Sequence, residues 1–338
     1  MAIRTAILGY GRSGSYLHAD PIEKLQDFEM VAVCDIDKER QKQAHSRFGC
    51  RIYDDYQKML KQEKLDLVSI ITRSDQHCQM TCECLQAGVN VLVTKPWCLN
   101  EDEAQRMIRT AEKSGKLLAP WLPARWGSDV KRLREIIAAG TIGKVFCVRR
   151  GVYSFGIRND WQTEKRYGGG YVLNWGPHLV DPPVYLLKAQ VKSVYASLKQ
   201  VINPGDVEDV FFTVLNLDNG VTVHAEYNIA VEGLPNWFIQ GDKGTIIVQG
   251  SELTIHTAAL SAPEDPTKTS LMQAKAGVSH EKLSGELYGN SETIYRELAQ
   301  ALRREKKFPV TPQDALALTK ILDAIKISAA ENRVVNIK

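Results

Sequence analysis

The chain has 338 residues, of which 44% are hydrophobic, and its 43 basic and 40 acidic residues leave a formal net charge of +3. This length suggests about two domains, each with a buried core. The near balance of charge provides no broad positive field for nucleic acid, and we interpret the basic clusters at residues 131–134 and 303–307 as solvated helix faces.

The seven cysteines follow neither a metal-site spacing nor a disulfide spacing. The sequence begins with a strand-like segment, and we therefore expect no secretory leader. No apolar run reaches the roughly 20 residues that a membrane span needs. We therefore expect a cytoplasmic protein with reduced thiols, no metal site, and neither a membrane nor a nucleic acid as partner.

The first strong motif lies close to the start of the chain. An apolar run ends in Gly9, Gly11 and Gly14 at G-x-G-x-x-G spacing, and a helix-like segment with a predicted break at Pro21 follows over residues 15–25. In a dinucleotide-binding turn, the first glycine permits the tight turn and the second lets a pyrophosphate approach the backbone. The third lets helix and strand pack closely, so that the free N–H groups of the helix face the phosphates. The alternative is an ordinary strand-to-helix turn.

An acid at the end of the second predicted strand favours the dinucleotide interpretation. Residues 30–34 are apolar and Asp35 follows them, about 20 residues beyond the last glycine, as the motif requires. Asp35 is expected to accept hydrogen bonds from ribose hydroxyls and to favour NAD, while the nearby cations leave NADP possible: Arg12, Lys38 and Arg40. The turn thus predicts these cofactor-binding residues: Gly9, Tyr10, Gly11, Arg12, Ser13, Gly14 and Asp35.

Helices and strands alternate over the first 120 residues, which predicts a parallel, doubly wound α/β sheet of Rossmann type. The carboxyl ends of such strands form the ligand crevice, and Gly9, Asp35, Thr72 and Lys95 all fall at predicted strand ends. A lysine is well placed there to contact a ligand. The alternative for Lys95 is a surface side chain on a loop.

The pattern then changes to β-like stretches joined by hairpin-type turns, at residues 144–153, 191–200, 210–217, 221–227, 237–240 and 245–248. Strands without intervening helices predict a second, α+β domain with a large, open, mostly antiparallel sheet. We place the domains at residues 1–120 and 121–338, with C-terminal helices at 291–304 and 312–331 that could pack back on the first domain. Residues 258–290 are predicted to form a long loop, a lid or an interface arm.

A second polar constellation follows three consecutive glycines at residues 168–170. Asn174, His178 and Asp181 have the i, i+4 and i+7 spacing of one helix face. Pro182 and Pro183 remove two helix N–H donors, which predicts a kink or a restart at Asp181, with this acid capping the helix that follows. A buried or capping histidine is the alternative to a functional His178.

Together, these motifs resemble the Gfo/Idh/MocA family of NAD(P)-dependent oxidoreductases along nearly the whole chain. The matching pieces are residues 9–14, Asp35, Lys95-Pro96 from the family's Glu-Lys-Pro, and a GGG-x-x-x-D-x-G-x-H-x-x-D pattern at residues 168–181. The resemblance implies a Rossmann domain, a second domain with an open sheet, and substrate between them. It also implies a homodimer or homotetramer assembled through the free face of that sheet.

Residue by residue, the resemblance places the catalytic lysine at Lys95 and the catalytic histidine at His178. Thr94 stands where the family has glutamate, and Asn174 stands where it has aspartate. The family's Thr-Pro-Asn-x-x-His segment keeps only its ends, Thr72 and His77. Because Asn-Trp-Gly-Pro-His runs occur within the family, the chain resembles a subgroup of it. The further cofactor-binding residues implied are Thr72, His77, Lys95 and Pro96.

The implied reaction passes a hydride between nicotinamide and a secondary alcohol carbon of a sugar, polyol or glycoside. His178 would move the hydroxyl proton, Lys95 would stabilise the alkoxide, and Asn174 would bind a hydroxyl or orient the imidazole. The predicted substrate-binding residues are Lys95, Trp121, Arg125, Arg158, Trp161, Asn174 and His178. For Trp121, Arg125, Arg158 and Trp161, loop packing is an equal alternative.

Two other functions stay open from the sequence. One is a glycosidase that uses NAD only transiently and therefore releases no net NADH. The other is a cofactor-bound regulator without enzymatic activity, against which the presence of both Lys95 and His178 argues.

Overall fold

A computed structural model of the chain describes residues 1–259, 267 and 275–337. The first sheet is parallel throughout, with strand order β3-β2-β1-β4-β5-β6. Its strands are β1 (Ile3–Leu8), β2 (Phe28–Cys34), β3 (Arg51–Tyr53), β4 (Leu67–Ile70), β5 (Asn90–Val93) and β6 (Leu118–Pro120). The helices between them are α1 (Ala19–Lys24), α2 (Lys38–Phe48), α3 (Tyr56–Gln62), α4 (His77–Gln86) and α5 (Glu101–Ser114). This strand order confirms the doubly wound fold and puts its switch point between β1 and β4.

The predicted break at Pro21 is wrong. A wider, π-helical turn (Gly14–His18) leads directly into α1, and the amide of Ala19 bonds the carbonyl of Gly14. Pro21 lies in the first turn of α1, where a missing N–H is tolerated. The irregularity therefore lies before the proline, beside the glycine turn.

The second sheet has the order β15-β14-β13-β12-β7-β10-β9-β8-β16, and β11 pairs with β7 outside this path. Neighbouring strands are antiparallel except β10 and β7, so the prediction of a mostly antiparallel sheet is confirmed. The strands are β7 (Val145–Phe155), β8 (Val191–Lys199), β9 (Val210–Leu217), β10 (Thr222–Asn228), β11 (Ala230–Val231), β12 (Trp237–Gly241), β13 (Gly244–Gln249), β14 (Glu252–Ala259), β15 (Lys275–Lys282) and β16 (Val335–Asn336). The remaining helices are α6 (Ser128–Ala138), α7 (Tyr171–Leu187), α8 (Ser291–Leu302) and α9 (Pro312–Glu331).

The long loop predicted at residues 258–290 is not a loop over its whole length. β14 continues to Ala259, and β15 pairs with it in antiparallel register from Lys275 to Lys282. β15 is exposed along nearly its whole length and almost without apolar residues, so no alternation in the sequence marks it as a strand. Residues 283–290 form a loop, as predicted, and residues 260–266 and 268–274 lie outside the described residues.

The helix does not restart at Asp181, so the cap predicted there is wrong. α7 is one helix from Tyr171 to Leu187 with Pro177, Pro182 and Pro183 inside it. Leu179 and Val180 are fully buried in the core of the second domain, so tertiary packing holds the helix where local hydrogen bonds are missing. Asp181 caps nothing. Its carboxylate accepts two hydrogen bonds from Arg125, at 2.9 and 2.7 Å.

The helix α8 packs against the first sheet unit, as the sequence suggested for the C-terminal helices. Lys24 and Glu292 form an ion pair at 3.1 Å, and the Tyr295 hydroxyl lies 2.9 Å from His18 Nδ1 and 3.1 Å from Ser69 Oγ. The division at residue 120 stays a prediction. Within the described part of the chain, no helix is both long and apolar enough to cross a membrane.

Candidate active site

The glycine turn after β1 has no room for side chains at its two ends. Gly9 has φ +90°, and a Cβ there would lie 2.7 Å from the carbonyl oxygen of Ile71. A Cβ on Gly14 would lie 2.0 Å from the carbonyl oxygen of Gly9. At Gly11, the nearest atom to a Cβ is the flexible tip of Arg40, at 3.5 Å. The turn therefore packs tightly against the protein at Gly9 and Gly14 and leaves space at Gly11, as a phosphate-binding turn requires.

Asp35 ties this turn to the end of β2. Its side chain is 4% exposed, and its oxygens accept hydrogen bonds from the amides of Tyr10 at 2.7 Å and Asp37 at 2.9 Å. The guanidinium of Arg40, half-exposed, lies 3.7 Å from the same carboxylate. The Tyr10 side chain points into the core against Phe48, so Tyr10 contributes only its backbone to the turn.

One cleft joins the carboxyl ends of β1, β2, β4 and β5 to the second domain. Its lining includes most of the predicted cofactor residues: Gly9, Gly11, Arg12, Ser13, Gly14, Asp35, Thr72, His77, Lys95 and Pro96. From the second domain, the predicted residues Arg158, Trp161 and Asn174 line it together with the three glycines at 168–170. The structure thus brings the glycine turn, Lys95 and the first part of the second motif to one cleft, whereas His178, further along α7, is not among these lining residues.

His77 braces the loops that follow β4 and β5. It is buried, with Nδ1 2.7 Å from the carbonyl oxygen of Pro96 and Nε2 3.0 Å from that of Thr72. Burial lowers the pKa of this imidazole, against the opposing effect of the two carbonyls. Both ring nitrogens are engaged by the protein, so His77 shapes the cofactor side of the cleft through these loops.

Lys95 reaches from the first domain to α7 of the second. Its Nζ donates hydrogen bonds to the main-chain oxygen of Asn174 at 2.9 Å and to Asn174 Oδ1 at 2.5 Å. Burial, helped by the positive charges of Arg158 and Arg12, lowers the pKa of Lys95 to about 7. The ammonium can therefore exchange its proton near neutral pH, which suits a group at a reaction centre.

His178 lies one helical turn after Asn174 on α7. It is buried, and the imidazole has no hydrogen-bond partner among the residues that the structure describes. Burial, together with the positive charges of Lys95 and Arg150, lowers the pKa of His178 well below its ordinary value. No hydrogen bond joins Asn174 to His178 among the described residues, where Asn174 Oδ1 instead accepts one from Lys95.

Two predicted substrate-binding residues lie elsewhere. Trp121 is buried, with its ring 4.6 Å from that of His18. Arg125 pairs with Asp181 and lies 3.4 Å from Asp314 Oδ2, and these carboxylates raise its pKa. Both are interior packing residues in the structure, which agrees with the loop-packing alternative.

Sequence reasoning missed an aromatic cluster around His178. Trp175 stacks on Tyr227 at 5.0 Å between ring centroids, and Tyr227 lies 4.5 Å from Tyr171. Tyr288 lies 4.8 Å from the His178 ring. Trp175 is three residues before His178 and could have been found from helical spacing, whereas Tyr288 comes from a loop far along the chain. No group of three or more potential metal ligands occurs in the described residues.

Two family models match the chain. The model described as an oxidoreductase family with an NAD-binding Rossmann fold matches residues 3–120, and the GFO/IDH/MocA C-terminal domain matches residues 130–247.

The chain is also similar to characterised proteins. A D-glucoside 3-dehydrogenase of Escherichia coli is 30% identical over 267 residues, which cover 71% of this chain and 75% of the relative. An NADP(+) scyllo-inositol 2-dehydrogenase of Bacillus subtilis is 22% identical over 98% of this chain and 95% of its own length. Among solved structures, an NAD-binding protein from Listeria innocua is 28% identical with a TM-score of 0.82, and the match covers 99% of this chain and 97% of that one.

Proposed function

The chain belongs to the Gfo/Idh/MocA family of NAD(P)-dependent oxidoreductases, and from this premise we propose that it oxidises a secondary alcohol of a sugar, polyol or glycoside to a ketone, or catalyses the reverse reduction. The observation that carries the proposal is the contact of Lys95 with Asn174, because it joins the cofactor cleft to the helix that bears His178. Sugar and inositol dehydrogenases among the relatives support the substrate class.

The residues around the turn fit a dinucleotide. Side chains are excluded at Gly9 and Gly14, Gly11 is open, and Arg12 and Ser13 line the same cleft. When bound, NAD(P) supplies the hydride acceptor or donor, and the protein supplies orientation and charge.

His178 is the proposed proton acceptor of the substrate hydroxyl. Its lowered pKa keeps the imidazole neutral at physiological pH, and a neutral ring nitrogen can accept a proton. Lys95, when protonated, would hold the carbinol oxygen and stabilise developing negative charge on it. With Oδ1 of Asn174 bonded to Lys95, the Nδ2 group remains to donate a hydrogen bond to a neighbouring substrate hydroxyl. Arg158 and Trp161 would contact the rest of the sugar.

For the cofactor, we propose that NAD is preferred and NADP accepted. The Asp35 carboxylate at the end of β2 disfavours a 2′-phosphate. The half-exposed Arg40 guanidinium beside it supplies a cation that a phosphate would pair with.

We also propose a homodimer or homotetramer through the second sheet. α7 and α9 pack on one face of this sheet. The other face carries Phe146 and Tyr195, exposed by 53% and 39%, and Arg149 over the Phe238 ring. An apolar face of this kind is typical of a subunit interface. The free cysteines of the described chain support a reducing, cytoplasmic location.

The test is a panel of sugars, inositols and glycosides, scanned for reduced nicotinamide with NAD and NADP in both reaction directions. We expect turnover of at least one member, and loss of turnover in Lys95→Ala and His178→Ala with NAD binding retained. Sugar release from an aryl glycoside without net NADH would instead indicate a glycosidase. No turnover, with partner binding unchanged in Lys95→Ala, would indicate a regulator.

A further inference from the structure

The imidazole of His178 is held by rings instead of by hydrogen bonds. Within the described chain, no donor or acceptor bonds either nitrogen, although the residue is only 8% exposed. Trp175 lies 5.7 Å away between ring centroids on the same helix, and Tyr288 lies 4.8 Å away on a different element. Trp175 and Tyr288 are themselves 6.2 Å apart. The three rings form one cluster between α7 and the loop before α8.

Tyr288 lies on the loop between β15 and α8, and this loop is fixed on both sides of it. Before Tyr288, the carbonyl oxygen of Glu286 accepts a hydrogen bond of 3.0 Å from the amide of Ser128. After it, Gly289 has φ +72°, and a Cβ there would lie 2.4 Å from Trp126 Cβ, while Asn290 caps α8. The backbone of this loop therefore fixes the position of Tyr288 beside His178.

Arg150 on β7 is a buried cation without a carboxylate partner among the described residues. It is 4% exposed, its Nη1 donates to the carbonyl oxygens of Gly151 and Asn236 at 3.2 and 3.1 Å, and its Nε has no partner there. The guanidinium packs over the Trp237 ring at 4.7 Å. Burying a charge without a counter-ion is energetically unfavourable, which argues for a functional role of Arg150.

We propose that Tyr288 is a positioning residue for His178, which fixes the plane of the imidazole by ring contact, and that the buried charge of Arg150 acts on the same imidazole. The inference rests on the proposed function, since it assigns the proton transfer to His178. Tyr288 thus provides the contact that orients the imidazole, which Asn174 does not provide.

The charges facing His178 support this assignment. Lys95 from the end of β5 and Arg150 from β7 both lower the pKa of His178 in addition to its burial. Burial raises the pKa of the Tyr288 phenol, against the lowering effect of Arg150, so Tyr288 faces the imidazole as a neutral hydroxyl. The acids nearby are engaged elsewhere: Asp181 with Arg125, and Asp129 with the Trp237 indole N–H at 2.7 Å.

The experiment compares Tyr288→Leu, Tyr288→Phe and Arg150→Met with Leu287→Ala, a control in the same loop whose side chain is 38% exposed. Tyr288→Leu should lower kcat about 10- to 100-fold, as misplacement of a reacting group does, with NADH affinity unchanged. Tyr288→Phe keeps the ring and should stay within about 3-fold of the wild type, which is less than the kinetic effect of 1 kcal/mol. Arg150→Met removes a positive charge, so the pKa of His178 should rise and the acid limb of kcat/KM should move to higher pH.

A second measurement needs no substrate. Histidine NMR, with the His178 signals assigned through His178→Gln, follows the ring shifts and the titration of His178 directly. Tyr288→Leu should move the ring-proton shifts by removing the ring current, and Arg150→Met should raise the titration midpoint. Unchanged shifts in Tyr288→Leu, or an unchanged midpoint in Arg150→Met, would overturn the inference even if turnover is found. If the NMR effects occur and no substrate reacts, the proposed function fails and the ring contact stands.

Discussion

Asn174→Asp places a negative charge on the principal partner of Lys95. In the structure, the Lys95 Nζ lies 2.5 Å from Asn174 Oδ1 and has a pKa of about 7, lowered by burial and by two neighbouring arginines. A carboxylate at this distance favours the ammonium form, and opposite charges in close contact shift a pKa by roughly 1–3 units. The pKa of Lys95 in the variant should therefore lie near 8–10, on the order of this shift added to the starting value.

The assay is the pH dependence of kcat/KM for alcohol oxidation, in which neutral His178 accepts the hydroxyl proton and protonated Lys95 stabilises the carbinol oxygen. Activity should fall as the pH rises through the pKa of Lys95, so the basic limb near pH 7 in the wild type should move upward in Asn174→Asp. Asn174→Ala is the matched control, because it removes the side-chain acceptor without adding charge. Lysine Cε NMR, assigned through Lys95→Met, reports the same titration without a substrate. A basic limb and a Cε midpoint that do not move in Asn174→Asp would refute the assigned role of this contact.

Three further substitutions test other parts of the account. Arg40→Ala should weaken NADPH binding by about 10-fold or more, because a hydrogen bond to a charged group is lost, and it should weaken NADH binding far less. Equal losses of affinity for the two cofactors in fluorescence titrations would argue against Arg40 as the 2′-phosphate contact. Arg125→Met should destabilise the fold by about 3–5 kcal/mol in urea unfolding, because Asp181 is left buried and unpaired. Since burial raises the folded-state pKa of Asp181 above its unfolded value, this variant should regain stability as the pH is lowered through that pKa, and a flat pH dependence would be inconsistent. Gly14→Ala should abolish NAD binding or lower the melting temperature, because its Cβ would lie 2.0 Å from the Gly9 oxygen; normal binding and melting would contradict the tight packing of this turn.

The local parts of the fold could be predicted from the sequence because their signals are local. The glycine turn with Asp35 predicted the cofactor side of the cleft. The structure places Lys95 just after β5, which is separated from β1 in the sheet by β4 alone. Two helix ends likewise carry residue types that are typical of caps: Asp55 at the start of α3 accepts a hydrogen bond from the amide of Gln57 at 2.8 Å, and Gly49 ends α2 at φ +64°. Each of these features depends on residues a few positions apart.

The remaining features depend on tertiary contacts between distant residues. The prolines predicted a kink or a restart at Asp181, but α7 continues through them with most of its residues buried. Asp181 could not be recognised as the partner of Arg125, and Tyr288 could not be placed over His178, since neither pair shares a local pattern. β15 is defined by backbone pairing with β14 and not by its side chains. Contacts of this kind determine which polar residues line the cleft and which lie in the core.

The most direct test of the central claim follows the fate of a deuterium atom. A sugar or inositol that reacts in the panel is labelled at the carbinol carbon and incubated with the protein and NAD. Hydride transfer to NAD predicts deuterium at the nicotinamide ring of NADH, in an amount equal to the ketone formed, and loss of both products in His178→Ala. Consumption of the substrate without deuterated NADH, as transient oxidation by a glycosidase would give, would contradict the account.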